Sequence, residues 1–362
     1  MKPKVTFVSA RPKELRAEAT LPLLLDKMLG KWNFKKRFAD KSVAIKMHFG
    51  GHVGYSTIHP LLVGRVIKAV KDAGGRPFVT DGSGSVSGAR ERGYTEEVLG
   101  APLAGAGGVN DKYFYTRKTN FRTMKTLDVC GNIVDADALI VLSHGKGHGH
   151  SGFGGAIKNI AMGCVTGESR GRIHRLMSTT FTWDEKKCIG CLLCRDNCPN
   201  GAITFEKGKI SIFDHHCKYC MHCQLACPKK AITIDQRGYR YFQHGMALAV
   251  REVLAGFKPE NVFYITALLQ ITPFCDCWGF TTPSIVPDIG IAAGDDILAV
   301  ETASLDLIKA EDFIEGSLPP PLKRTGGGHL FEQIHAKDPY IQIEECAKLK
   351  LGKTEYKLEE IR

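Results

Sequence analysis

The stretch Cys188-Ile-Gly-Cys191-Leu-Leu-Cys194-Arg-Asp-Asn-Cys198-Pro199 recurs as Cys217-Lys-Tyr-Cys220-Met-His-Cys223-Gln-Leu-Ala-Cys227-Pro228. Both runs read C-x2-C-x2-C-x3-C-P, and each cysteine of the second lies 29 positions after its counterpart. The repeat outlasts the cysteines, since Ala202-Ile203-Thr204-Phe205 matches Ala231-Ile232-Thr233-Ile234 at the same offset. A cube of four irons and four sulfides needs four thiolates at its corners. Two residues between cysteines let a tight turn present three thiolates to one cube, and the fourth, followed by proline, turns toward the other cube. The spacing therefore predicts two [4Fe–4S] clusters with crossed ligation. Cys188, Cys191, Cys194 and Cys227 hold the first; Cys217, Cys220, Cys223 and Cys198 hold the second.

Zinc ribbons use paired C-x2-C rather than triple runs ending in C-P. A disulfide framework would need an oxidising compartment that nothing else in the chain suggests. The stretch from Phe181 to Gln236 resembles bacterial two-cluster ferredoxins. The resemblance implies a one-electron carrier, with a potential left open because such clusters span a wide range.

Thirteen cysteines stand in 362 residues. The repeat accounts for all but Cys130, Cys164, Cys275, Cys277 and Cys346, an odd remainder that argues for a reducing cytoplasm. The first residues carry no signal-peptide core, and no apolar run approaches the ~20 residues of a membrane span. The formal charge is +11, falling to about +7 once ligating thiolates and cluster cores are counted. No concentrated basic helix with interleaved aromatics is present, so nucleic acid is not an expected partner. A soluble electron carrier or redox partner protein is. Lys187, Arg195, Lys218, Lys229 and Lys230 offer it a docking rim, or are ordinary solvated charge. The oligomeric state is not legible.

On either side of the repeat the chain alternates strand, glycine-rich loop and helix. Strands are expected at Val5 to Ser9, Ser42 to Phe49, Pro77 to Thr80, Ala138 to Ser143 and Asn261 to Leu269. Helices are expected at Leu21 to Leu29, Ile58 to Ala73, Ala156 to Gly163, Tyr239 to Phe257 and Asp296 to Ile308, the last capped by Asp295. This pattern predicts an α/β fold, a mostly parallel sheet flanked by helices, with a small α+β two-[4Fe–4S] ferredoxin-like domain inserted. The expected division is 1–180 and 237–362 for the α/β body and 181–236 for the insertion. Val165 to Thr180 reads as a polar connector, and the segment after Ala347 is left open.

Ligands of parallel sheets gather at the carboxyl ends of the strands. Four strand-end loops there carry unusual chemistry. Cys275 and Cys277 suit an additional metal ion, completed by His48, His144, His148 or His150. The bland alternative is two buried thiols beside a solvated glycine-rich loop. Lys46, Asp81, Lys158 and Asp288 are candidates for an anion or substrate, with Lys158 just inside a helix whose start suits a negative charge.

Taken together, the motifs resemble the iron–sulfur center proteins built on domain of unknown function 362. The matching residues are Val43 to Gly50, Thr80-Asp81-Gly82, Lys146 to Cys164, the two cysteine runs, Cys275-Asp276-Cys277 and Val286 to Gly290. The resemblance implies clusters and an α/β body, and it supplies no reaction. The sequence thus points to a two-cluster redox protein moving low-potential electrons to or from a site in the α/β body or a partner. The alternatives are a metalloenzyme with a metal at Cys275 and Cys277, and a non-catalytic electron-transfer subunit of a larger complex.

Overall fold

The computed structural model describes all residues except Met1, His52, Thr179, Asn200, Asp214, His215, Lys218, Tyr219, Cys220, Gln236 and Pro321. Its centre is an eight-stranded sheet. In spatial order the strands are Lys357–Glu360, Lys4–Ser9, Gly290–Gly294, Val262–Leu268, Ala138–His144, Ser42–Met47, Arg76–Asp81 and Leu103–Gly105. All neighbours pair in parallel except Gly290–Gly294, which runs against both strands beside it. The fold is therefore mixed α/β with a mostly parallel sheet flanked by helices.

The central strands are apolar on both faces, as a doubly covered parallel sheet requires. In Ser42–Met47, Val43, Ile45 and Met47 pack with helices Leu21–Gly30 and Pro60–Asp72. Ala44 faces the opposite core, built with helices Ala156–Gly163, Gly238–Leu254, Ile297–Leu307 and Ile341–Lys348. Among the described residues no helix is long and apolar enough to cross a membrane.

Several local expectations are corrected. Val165 to Thr180 is not a loose connector: helix Gly167–Ser178 buries Ile173, Leu176 and Met177. The glycine-rich segment after Asp81 winds into helix Ser83–Ala89. Asp296, not Asp295, caps helix Ile297–Leu307, accepting from the Leu298 and Ala299 amides at 3.0 Å each. Asp295 instead pairs with Arg37 at 2.6 Å. The chain end packs, with Lys357–Glu360 forming a charged edge strand parallel to Lys4–Ser9, a composition that discourages further edge pairing.

Three sheet strands follow the cysteine repeat in sequence, and no strand between Phe181 and Ile234 joins the sheet. That segment forms two separate antiparallel pairs, Phe181–Trp183 with Ile232–Ile234 and Ile203–Glu206 with Lys209–Ile212. Parallel pairing turns the carboxyl ends of Ser42–Met47, Arg76–Asp81, Ala138–His144 and Val262–Leu268 to one rim.

Candidate functional site

Two buried lysine–aspartate–histidine sets stand at this rim. In the first, Lys46 Nζ donates to Asn159 Oδ1 at 2.6 Å and to the Met47 carbonyl at 2.8 Å, and pairs with Asp81 Oδ1 at 3.0 Å. The absent side chain of Gly163 makes room for it, since a Cβ there would lie 2.2 Å from Nζ. Asp81 Oδ2 accepts from the Phe49 amide at 3.1 Å and faces His48 Nδ1 at 3.0 Å. Burial alone would raise the Asp81 carboxyl, but Lys46 and His48 outweigh it and hold the group well below the usual carboxylate range. With Nδ1 turned to a carboxylate, His48 presents Nε2, a buried atom with no hydrogen-bond partner among the described residues.

The second set has the same composition and a different outcome. Lys146 Nζ donates to Asp276 Oδ1 and to Ser56 Oγ, both at 2.7 Å. His144 Nδ1 lies 2.9 Å from Asp276 Oδ2, and its Nε2 lies 2.6 Å from the Leu269 carbonyl. Asp276 is held low as Asp81 is: burial opposes the charge, and His144 and Lys146 override it. Both His144 nitrogens are engaged, so this ring props the loop rather than offering a ligand.

Asp276 sits between Cys275 and Cys277 on a single tight turn, Asp276–Trp278. Its backbone carbonyl accepts from the Gly51 amide at 3.2 Å. Gly50 (φ +74°) and Gly51 permit this approach, because a Cβ on Gly51 would lie 2.2 Å from the Gly279 Cα. The contact brings His48 to the two thiols. One His48 ring nitrogen, Cys275 Sγ and Cys277 Sγ all lie within 4.8 Å of one another. Cys275 is buried and accepts from Lys158 Nζ at 3.2 Å; Cys277 is exposed. A hydrogen bond from the Cys277 thiol and, against the effect of burial, the Lys158 ammonium hold Cys275 well below the usual thiol range. His148 Nε2 stands 3.4 Å from Cys277 Sγ, while its Nδ1 accepts from the amides of His150 and Ser151 at 3.1 Å. Lys46, His48, Asp81, His144, His148, Lys158, Cys275 and Cys277 share the wall of one cavity of about 540 Å³.

Other candidates separate from this group. His150 does not line the cavity and packs against His174 and Phe242, with ring centroids 4.9 and 5.3 Å away. Asp288 is exposed and accepts from the Gln270 amide at 2.6 Å, a turn contact. The helix start before Lys158 is already taken. Glu301 Oε2 accepts from the Ala156 amide at 2.7 Å and Oε1 from Ile157 at 3.2 Å. An anion bound by Lys158 at free helix amides is thereby corrected. Burial lifts the Glu301 carboxyl from 4.5 to about 7 despite those bonds. Sequence reasoning missed Glu301, which lies inside an apolar helix with no motif around it. It also missed Asn159, Arg170 and His174 as cavity residues. Cys130, Cys164 and Cys346 are packed core thiols, and burial pushes Cys164 up to about 12.

The 29-residue repeat is also a repeat of conformation. Leu192 and Met221 both adopt left-handed backbone (φ 62° and 65°) ahead of one-turn helices Leu193–Asp196 and His222–Leu225. Asp184 donates its amide to the Ala231 carbonyl at 2.8 Å, and Phe213 donates to Ala202 at 2.7 Å. The Ala202 amide donates to Cys198 Sγ at 3.2 Å, and the Ala231 amide to Cys227 Sγ at 3.3 Å. Cys188, Cys191, Cys194 and Cys227 line one small cavity; Cys198, Cys217 and Cys223 line another. The fourth expected member of the second set, Cys220, lies outside the described residues, as does Lys218 of the docking rim. The described donors fit a cube at each cavity: Cys188, Cys191, Cys194 and Cys227 gather round one space and Cys198, Cys217 and Cys223 round the other, with amide–sulfur contacts of the kind that support cluster ligands.

The two cavities differ in surroundings. The first is lined by Ile189, 60% exposed; the exposed Leu193 and Leu225 stand on the one-turn helices that carry Cys194 and Cys223. The basic neighbours of the first are already locally paired in part, Lys187 with Asp184 and Arg195 with Asp196. The second is lined by His216, whose ring stacks on Trp278 with centroids 6.0 Å apart and planes 11° apart. Phe213 meets the same Trp278 edge-on at 5.7 Å. Trp278 directly follows Cys277.

The family model for the domain of unknown function DUF362 matches residues 43–306. The chain belongs to this family. No curated protein matches it. Among solved structures, the lactate racemase apoprotein from Thermoanaerobacterium thermosaccharolyticum is similar at 12% identity and a TM-score of 0.37, over 68% of this chain and 49% of that one. A Thermotoga maritima protein is similar at 11% identity and a TM-score of 0.38, over 71% of this chain and 52% of that one. The family member thus spans about half the length of the solved chains it matches.

Proposed function

We propose that this DUF362 protein is a two-cluster iron–sulfur redox protein that moves low-potential electrons between a soluble carrier and the strand-end cavity. The carrying observation is the repeat itself, folded into two cysteine-lined cavities whose membership crosses between the runs. In this reading residues 181–236 are a ferredoxin-like domain inserted between the two parts of the α/β body, 1–180 and 237–362. When bound, a [4Fe–4S] cube supplies one-electron chemistry at each cavity.

The chain's own residues give the path its ends. The exposed apolar Ile189, Leu193 and Leu225 mark where a reduced carrier docks, with Lys229 and Lys230 alongside. His216, Phe213 and Trp278 join the second cavity to the Cys275–Cys277 turn.

Elemental analysis of protein purified without oxygen tests the reading. About eight irons and eight acid-labile sulfides per chain are expected. Zinc in the cysteine cavities, or fewer than about four irons after reconstitution, contradicts it.

A further inference from the structure

We infer that His48, Cys275 and Cys277 form a third, mononuclear site for a divalent metal of borderline softness, such as zinc, nickel, cobalt or iron(II), with an open position facing the cavity. It stands on residues of the α/β body and does not depend on the cysteine repeat.

Four features carry it. The three donor atoms lie within 4.8 Å of one another. Around one tetrahedral ion, with bonds of about 2.0–2.3 Å, they would stand roughly 3.5–3.8 Å apart, a small contraction. His48 is prepared as a ligand. Asp81 holds its Nδ1 at 3.0 Å, which fixes the ring and leaves the Nε2 lone pair available. That carboxylate–histidine pairing is the usual support of a metal-bound imidazole. Asp81 is itself fixed by Lys46 and the Phe49 amide, so the support is rigid.

The sulfurs are prepared as well. Lys158 donates to Cys275, and sulfur can accept that bond while binding a metal through another lone pair. His148 Nδ1 accepts from two amides, so its Nε2 carries the proton and faces Cys277 as a donor. It therefore supports the sulfur rather than competing for the ion. Finally, all three ligands line the 540 Å³ cavity, and no fourth side chain closes the set among the described residues. Three protein ligands and an open position are the pattern of a reactive metal rather than a structural one.

Anaerobic titration with cobalt(II), read by elemental analysis and visible spectra, tests the site. The wild type should bind one cobalt per chain and show the ligand-field bands of a four-coordinate thiolate complex. Cys277→Ala alters an exposed residue and should fold normally, as circular dichroism will report; it and His48→Gln should lose both signals. No cobalt retained by the wild type, or equal binding with unchanged bands in both variants, overturns the site. Acid-labile sulfide and the iron that accompanies it, measured in the same samples, report on the cysteine cavities alone. Their absence would count against two clusters and leave the cobalt result standing.

Discussion

The two cysteine cavities are built alike and placed differently. Turn for turn, the left-handed residues at Leu192 and Met221 and the amide–sulfur bonds to Cys198 and Cys227 coincide across the repeat. Yet the first cavity is lined by exposed Ile189, and the second by His216 stacked on Trp278. Local sequence makes two cysteine cavities of like geometry. Under the proposed function their different surroundings give them different jobs, one toward a partner and one toward the body.

The largest expected effect comes from removing one cavity at a time. Cys194→Ala and Cys223→Ala should each cost about four of about eight irons. Only the Cys194→Ala protein should lose rapid reduction by a protein carrier while dithionite still reduces its remaining cluster. Equal behaviour of the two variants toward the carrier would remove the distinction.

The next effect is on potentials. Trp278→Ala should shift the midpoint of the second cluster alone, on the order of tens of millivolts, because exposure tunes such centres. Ile189→Ala should shift only the first. Redox titration followed by electron paramagnetic resonance separates the two, and a shift of both in either variant would break the contrast.

The body also holds a buried carboxyl of a kind absent from the described cavity linings, and this predicts a pH response. Glu301 is raised from 4.5 to about 7 by burial. A raised acid contributes stability that is full below its unfolded value and is lost as pH rises through the folded one. Between pH 4.5 and 7 the wild type should lose up to about 3 kcal/mol relative to Glu301→Gln. Parallel urea-unfolding curves for the two proteins would show that Glu301 does not titrate in this window. Asp81 and Asp276 act in the opposite sense: their carboxyls are held low, so their contribution fades only in acid.

The smallest effect is electrostatic steering. Lys229→Glu with Lys230→Glu should slow association with an acidic carrier by about tenfold at low salt and flatten the salt dependence. An unchanged stopped-flow rate across salt would move the docking face elsewhere.

The parts of this molecule legible in its sequence are those fixed by short-range rules. The cysteine spacing carries its own geometry, and helix Ala156–Gly163 and the apolar strands follow from periodicity. The rim was legible as a set of strand ends. What the sequence concealed was which residues meet there. His48 and His144 are alike in print, and only the Leu269 carbonyl behind His144 separates a candidate ligand from a prop. His150 and Asp288 share loops with true cavity residues but point elsewhere. Glu301 looks like a helix-interior acid until the fold sets it against the start of Ala156–Gly163, 145 positions away. The helix at Ser83–Ala89 was hidden by serine and glycine, which score poorly as helix formers and are overruled here by packing.

The most direct measurement of the central claim asks which cluster Cys227 belongs to. Electron paramagnetic resonance of dithionite-reduced Cys227→Ala should match that of Cys194→Ala, with the body-facing cluster surviving in both, and should differ from that of Cys223→Ala. A Cys227→Ala spectrum matching Cys223→Ala, or no iron in the wild type, would contradict crossed cavities and the direction of electron flow built on them.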